Sequence, residues 1–127
     1  MTKAGSQEKA LTAKQVAKLI AKAASDTKAI DIVVLDLGKV TSFTDYFVIC
    51  SGASDRQVQA IVNAIEDALK DKGRRPLSIE GQGTGHWTLV DYGEVVAHVF
   101  HQTEREYYQI ERLWNDAPRV NFPGITD

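Results

Sequence analysis

The stretch from His86 to Trp114 constrains the fold most, because it is predicted to form a strand, a tight turn, a second strand and a helix with almost no spacer. In the first strand, alternate side chains point to opposite faces of a sheet. One face carries Trp87, Leu89 and Asp91, and the other carries Thr88, Val90 and Tyr92. Gly93 then supplies the backbone freedom that a tight turn requires. The second strand, over residues 95–100, is apolar at nearly every position, which predicts a central strand covered on both faces.

A helix is predicted directly after this pair of strands. Thr103 and Glu106 have the spacing of a capping box, in which each side chain accepts a hydrogen bond from an end N–H of a new helix. At helical spacing, the side chains expected to be buried are Tyr107, Ile110, Leu113 and Trp114.

The remaining elements are predicted in the order helix, strand, strand, helix and short strand, over residues 12–27, 30–37, 46–51, 54–73 and 76–79. Both helices begin with a capping-box pattern, at Thr12 with Gln15 and at Ser54 with Gln57. This order predicts a single α/β domain with a mixed five-stranded sheet flanked by helices. The domain is expected over residues 12–116, after a disordered segment 1–11 and before an irregular tail 117–127.

Composition excludes several classes of protein. The 127 residues carry a formal net charge of −2, so no basic field favours nucleic-acid binding as the main activity. The lysines among the first 28 residues are read as a solvated helix face, and direct RNA contact by them stays open. The single cysteine, Cys50, forms no disulfide within one chain. With no apolar run of membrane-spanning length and no signal-peptide pattern, a cytoplasmic protein without a membrane partner is expected.

The turn Gly52–Ser54 lies between a strand and a helix, where a phosphate could bind to helix N–H groups. An enzyme of nucleotidyl-transfer type also needs paired carboxylates on a following strand to hold Mg²⁺, and no such pair follows Ser54. Helix capping is therefore favoured over catalysis at this turn.

The histidines and the cysteine offer little further chemistry. His98 and His101 have opposite parity on one strand and no cysteine or carboxylate completes a ligand set, so no metal site is predicted. His98 is expected to lie between the sheet and a helix with a hydrogen-bond partner. Cys50 is expected to be a small core residue rather than a nucleophile.

The face with Trp87, Leu89 and Asp91 is a candidate protein-binding surface, because aromatic side chains carry much of the binding energy of interfaces. The alternative is that Trp87 packs under Trp114 in the core. Tyr46, before the second predicted strand, carries the same ambiguity, and the sequence leaves both readings open.

Five motifs together resemble the ribosomal silencing factor family (RsfS, also called Iojap-like). They are T-D-Y-F-V-I at residues 44–49, S-G-x-S-x-R-Q at 51–57, I-E-G at 79–81, W-x-L-x-D-Y-G-E-V-V-x-H-x-F at 87–100 and R-E-Y-Y-x-x-E-R-L-W at 105–114. The chain departs from the family pattern at Cys50, where alanine is usual, and in the glycine-rich loop 83–85. The resemblance implies a mixed α/β fold related to the nucleotidyltransferases but without their catalytic carboxylates.

The resemblance also implies a translation repressor without enzymatic activity, cofactor or small-molecule substrate. Such a protein binds the large ribosomal subunit through its fourteenth ribosomal protein, on the intersubunit face, and prevents the small subunit from joining. Members of the family are often homodimers when free. The partner-binding residues carried over are Trp87, Leu89, Asp91 and Tyr92, with Glu80 and Tyr46 as neighbours. Two alternatives remain, a nucleotidyl- or phosphoryl-transfer enzyme that uses the Gly52–Ser54 turn and a homodimeric scaffold whose Trp87 face is its own dimer interface.

Overall fold

The structure is a computed structural model that describes residues 10–83 and 86–126. Most of the segment predicted to be disordered, residues 1–9, lies outside the described residues, as do Thr84 and Gly85 of the glycine-rich loop. The helices are α1 (Ala13–Asp26), α2 (Asp55–Lys70), α3 (Gln102–Tyr108) and α4 (Ile110–Leu113). The strands are β1 (Ile30–Asp36), β2 (Tyr46–Gly52), β3 (Ser78–Glu80), β4 (Trp87–Asp91) and β5 (Val95–His101).

The strands form one five-stranded sheet in the order β1-β2-β5-β4-β3. The central strands β2 and β5 are parallel, and α2, β3 and β4 form the crossover that a parallel pair requires. The other neighbouring strands are antiparallel. The predicted mixed five-stranded α/β sheet is therefore confirmed. Both central strands are almost fully buried, as their continuous apolar sequences predict.

Helices α1 and α2 cover one face of the sheet and enclose the larger core with one apolar side each. The predicted capping box at Thr12 and Gln15 is present at the start of α1. At α2, the Ser54 hydroxyl accepts the Gln57 N–H as predicted. The Gln57 carboxamide oxygen, however, accepts the N–H of Ala53 rather than that of Ser54.

The opposite face carries a smaller core, over which α3, α4 and the chain after them fold. The predicted single helix from Thr103 is wrong in two respects. It begins two residues earlier, because His101 rather than Thr103 is the N-terminal cap and its ring accepts the N–H of Thr103. It is also interrupted at Gln109, which has the left-handed φ of 46°. Of the four side chains predicted to be buried, Ile110 is buried and Trp114 half-buried, whereas Tyr107 and Leu113 are 81% and 76% exposed.

The buried Arg105 attaches α3 to the sheet. Its guanidinium donates to the Ile30 carbonyl oxygen at 3.2 Å and to the Ser51 hydroxyl at 2.9 Å, which joins α3 to β1 and β2. The same group pairs with the Glu111 carboxylate at 3.0 Å, so α4 is tied to the same point. Arg105 thus fixes the short helices that border the open part of the second face.

The tail 117–127 is irregular in backbone, and its described residues pack against the domain. Arg119 forms an antiparallel bridge with Leu35, which covers part of the exposed edge of β1. Beyond this bridge, Phe122 is buried in the larger core beneath α1 and α2. Among residues 10–83 and 86–126, no helix has the length and apolar character needed to cross a bilayer.

Candidate protein-binding site

Strand β4 places Trp87, Leu89 and Asp91 on the second face of the sheet, away from α1 and α2. All three side chains are half-buried, whereas Thr88 and Val90 between them are buried on the helix-covered face. Glu80 of β3 lies opposite Leu89 in the register, so its exposed side chain is beside Leu89 on the same face. The structure therefore brings four of the six sequence-predicted partner-binding residues together.

A continuous set of contacting rings surrounds this strand. The Phe43, Phe47 and Trp114 rings lie 5.6–6.3 Å apart at one end. Trp87 is 5.0 Å from Tyr108 at the other end. We use the term aromatic face for these rings together with the central His98, Phe100 and the adjacent Leu89. Its outer members Phe43 and Tyr108 are 62% and 49% exposed, so the surface is open to a partner at both ends.

The indole of Trp87 is held on three sides. It stacks on Phe100 with ring centroids 4.8 Å apart, contacts Tyr108, and donates its Nε1–H to Nδ1 of His98 at 3.2 Å. Trp114, which the sequence offered as the cover for Trp87, packs against Phe43 and Phe47 instead. Trp87 is thus a fixed aromatic side chain with part of its surface in solvent, which is the arrangement that interface anchors have.

His98 occupies the floor of the aromatic face on the central strand β5. Its imidazole is 5% exposed and lies edge-on to Phe47, with ring centroids 4.4 Å apart. Burial lowers its pKa from 6.5 to about 4, so the ring is neutral at physiological pH. The hydrogen-bond partner expected for His98 is Trp87, across the strand pair, rather than a residue of a helix.

Asp91 combines a structural role with a charge at the end of β4. One carboxylate oxygen accepts the N–H of Gly93 at 2.7 Å and so stabilises the β4–β5 turn. The side chain is only half-buried, so its negative charge is available to a cationic partner. A substitution that tests this charge must keep an oxygen acceptor for Gly93, which asparagine does and arginine does not.

Tyr46 and Tyr92 lie on the opposite face from Trp87. Tyr92 is 2% exposed within the larger core, and burial raises the pKa of its hydroxyl to about 12. Tyr46 is half-buried and packs against the same core. Because side chains alternate along β2 and at the end of β4, neither tyrosine can join the surface formed by Trp87 and Leu89.

Two backbone N–H groups at the Gly52–Ser54 turn and the start of α2 are bound by the chain itself. The Ala53 N–H donates to the Gln57 side chain and the Gln57 N–H to the Ser54 hydroxyl. The Gln57 amide also donates to the Lys28 carbonyl oxygen at 2.9 Å, which closes the turn against the α1–β1 connection. This is the capping arrangement expected from the sequence, and it leaves these N–H groups satisfied without a phosphate.

Three other features bear on the alternative that the chain is an enzyme. Across the described part of the chain, no group of three or more His, Cys, Asp and Glu side chains is placed to hold a metal ion. Cys50 is fully enclosed, and burial raises the pKa of its thiol to about 12, which suppresses the nucleophilic thiolate. A cavity of about 730 Å³ lies where β2 and β5 end, but Arg105 in its wall is already paired with Glu111.

Sequence reasoning missed the partners that complete the aromatic face. Phe43 lies in the β1–β2 connection and Tyr108 at the end of α3, far from Trp87 in sequence. No periodicity specified that they meet across β4 and β5.

A family profile described as "Ribosomal silencing factor during starvation" matches residues 10–127. Bacillus subtilis ribosomal silencing factor RsfS is 47% identical over 105 residues, covering 83% of this chain and 89% of that protein. The maize chloroplastic protein Iojap is 34% identical over 84% of this chain and 46% of that protein.

Solved structures agree with these sequence relatives. A Chromobacterium violaceum protein superposes with a TM-score of 0.81 at 36% identity, covering 92% of this chain and 98% of that one. A Bacillus halodurans protein gives a TM-score of 0.74 at 38% identity, covering 83% and 95%. With a family match over nearly its whole length and relatives well above 30% identity, the chain belongs to the ribosomal silencing factor family.

Proposed function

We propose that this chain represses translation by binding a ribosomal protein on the intersubunit face of the large ribosomal subunit, where it blocks joining of the small subunit. Membership in the family makes it a regulatory factor that silences ribosomes. The specific partner, the fourteenth ribosomal protein of the large subunit, is the one that the sequence resemblance implies. The chain acts without catalysis in this proposal, in the cytoplasm where bacterial ribosomes are found.

The observation that carries the proposal is the half-exposed pair Trp87 and Leu89 at the centre of the aromatic face. An apolar surface of this kind, with exposed Phe43 and Tyr108 at its ends, is costly to leave in water, which supports its use as an interaction site. Trp87 needs little ordering on binding because its indole is already fixed by Phe100 and His98. Preorganised aromatic side chains contribute strongly to affinity for that reason.

Charge supports a basic partner. Glu80 and Asp91 border Leu89 on the same face, and neither forms an ion pair within the described residues. Ribosomal proteins are basic, so acidic groups around an apolar centre favour their approach and orientation. The enzymatic alternative has less support, since the Gly52–Ser54 turn is closed by Gln57. Homodimer formation in the free state stays a prediction.

Co-sedimentation with purified large subunits tests the proposal. Leu89→Asn removes the apolar anchor, and we expect about 30-fold weaker binding, as for a central interface residue. Leu77→Asn is the matched control, because Leu77 is 74% exposed beside β3 with the opposite parity. Normal binding by Leu89→Asn, in a variant whose thermal unfolding shows it is folded, would rule out this face as the contact.

A second pair of variants tests the charge. Asp91→Asn keeps an oxygen acceptor for Gly93, and Asp67→Asn removes an equally negative charge from an exposed position on α2. We expect Asp91→Asn to weaken binding and to reduce its salt dependence, while Asp67→Asn leaves both unchanged.

A further inference from the structure

The hydrogen-bonding of His98 is incomplete although it lies at the centre of the aromatic face. Its Nδ1 accepts the indole N–H of Trp87, so the proton of the neutral ring is on Nε2. Nε2 is buried and has no acceptor within the described part of the chain. A buried donor without a partner destabilises the folded state, and such groups call for an explanation.

The packing around His98 bears on where an acceptor for its unpaired Nε2–H would come from. Phe47 and Phe100 flank the ring on the sheet, and no charged group contributes to the pKa shift of the imidazole. The side chains that pack over this smaller core include half-buried Trp87, Leu89 and Trp114. These belong to the surface expected to contact the partner. Because side chains at interfaces commonly change rotamer on binding, movement of Leu89, which pairs with His98 in the strand register, would expose Nε2 while the indole of Trp87 keeps its place.

We propose that His98 is a recognition residue whose Nε2–H donates a hydrogen bond to an oxygen atom of the bound partner. This inference rests on the proposed function, in which a basic ribosomal protein covers the aromatic face. Lysine and arginine side chains have no acceptor atoms, so the oxygen belongs to a backbone carbonyl or to a hydroxyl, carboxamide or carboxylate side chain of the partner. The partner thus contributes an oxygen acceptor above β5 in addition to its cationic side chains.

A double-mutant cycle separates direct contact from the holding of Trp87. Trp87→Phe keeps an aromatic ring and removes the indole N–H, so in this background His98 can no longer act through that hydrogen bond. His98→Phe fits an environment already lined by Phe47 and Phe100 and removes the unpaired donor. We expect His98→Phe to weaken binding to large subunits by about 3- to 10-fold in both backgrounds, the loss of one hydrogen bond.

The melting temperatures of the free variants distinguish a recognition role for His98 from a purely structural role. In the Trp87→Phe background no indole N–H loses its acceptor, so there His98→Phe deletes only a buried donor without a partner, and we expect the melting temperature to stay the same or rise while binding weakens. A lower melting temperature together with unchanged binding would overturn the inference. So would a binding loss that occurs only when Trp87 is present.

Nuclear magnetic resonance tests the same bond without substitution. The Nε2 proton of ¹⁵N-labelled His98 should shift downfield when the isolated ribosomal protein binds, because it gains an acceptor. An unshifted proton in the complex contradicts the inference even if the protein binds. If the wild-type chain binds neither large subunits nor the isolated protein, the proposed function itself fails. The two failures are therefore distinct.

Discussion

Mild acid should destabilise this chain through His98, because burial of its ring lowers its pKa. Its folded-state pKa is about 4, because burial disfavours the imidazolium, against 6.5 for an exposed histidine. Between these values the unfolded chain takes up a proton that the folded chain does not, so lowering the pH favours unfolding. The associated stability is fully present above pH 6.5 and is lost as the pH falls toward 4.

The size of the effect follows from the shift. Each pKa unit corresponds to about 1.4 kcal/mol, so the complete loss amounts to about 3 kcal/mol of the free energy of unfolding. Between about pH 7.5 and about pH 5, before most carboxylates titrate, the loss is about 2 kcal/mol. That is a large part of the stability of a domain of this size.

Urea unfolding at these two pH values measures the loss directly, with tryptophan fluorescence or circular dichroism as the signal. His98→Phe is the comparison, since it removes this titration and leaves His86 and His101 in place. We expect the wild type to lose about 2 kcal/mol more than the variant between the two values. An equal loss in both proteins would refute the assignment of acid sensitivity to His98.

Three further predictions concern stability and reactivity. Gly81→Ala should cost at least about 2 kcal/mol and displace the entry to β4, because Gly81 has a φ of 80° and an added Cβ would lie 2.1 Å from the Trp87 carbonyl oxygen; an unchanged denaturation midpoint would contradict this. Phe122→Ala should cost about 3–5 kcal/mol in chemical denaturation, since Phe122 is buried in the larger core, whereas a loosely attached tail would give almost no effect. Cys50 should resist iodoacetamide in the native state and react only after unfolding, because its thiol is enclosed with a pKa of about 12.

The sheet could be predicted from the sequence because its strands carry strong local signals. The continuous apolar runs of β2 and β5 identify central strands, and the alternation in β4 assigns Trp87 and Leu89 to one face. Where the chain follows these periodicities, prediction and structure agree. The resemblance to the family draws on the same segments, since one of its five motifs spans β4 and β5.

The last helix could not be predicted correctly, because its interruption depends on tertiary contacts. Gln109 adopts a left-handed conformation that glutamine seldom takes without support from its surroundings. Arg105 supplies that support by holding α3 to β1 and β2 while binding Glu111 of α4. A local pattern of apolar residues carries no information about these long-range contacts of Arg105.

Part of the candidate site could not be predicted from the sequence for a similar reason. Parity along β4 selects Trp87, Leu89 and Asp91, and it also places Tyr92 on the covered side. The contact of Trp87 with His98 depends on the antiparallel register of β4 and β5, and the approach of Phe43 depends on a loop. Register and loop conformation are set by the whole fold rather than by neighbouring residues.

Subunit joining is the measurement that tests the central claim most directly. Large subunits would be incubated with wild type, Leu89→Asn or the control Leu77→Asn, and light scattering would then follow whole-ribosome formation after addition of small subunits. We predict that the wild type and Leu77→Asn reduce joining, whereas folded Leu89→Asn does not. Joining that proceeds normally on large subunits occupied by the wild type would contradict the claim, as would equal inhibition by Leu89→Asn.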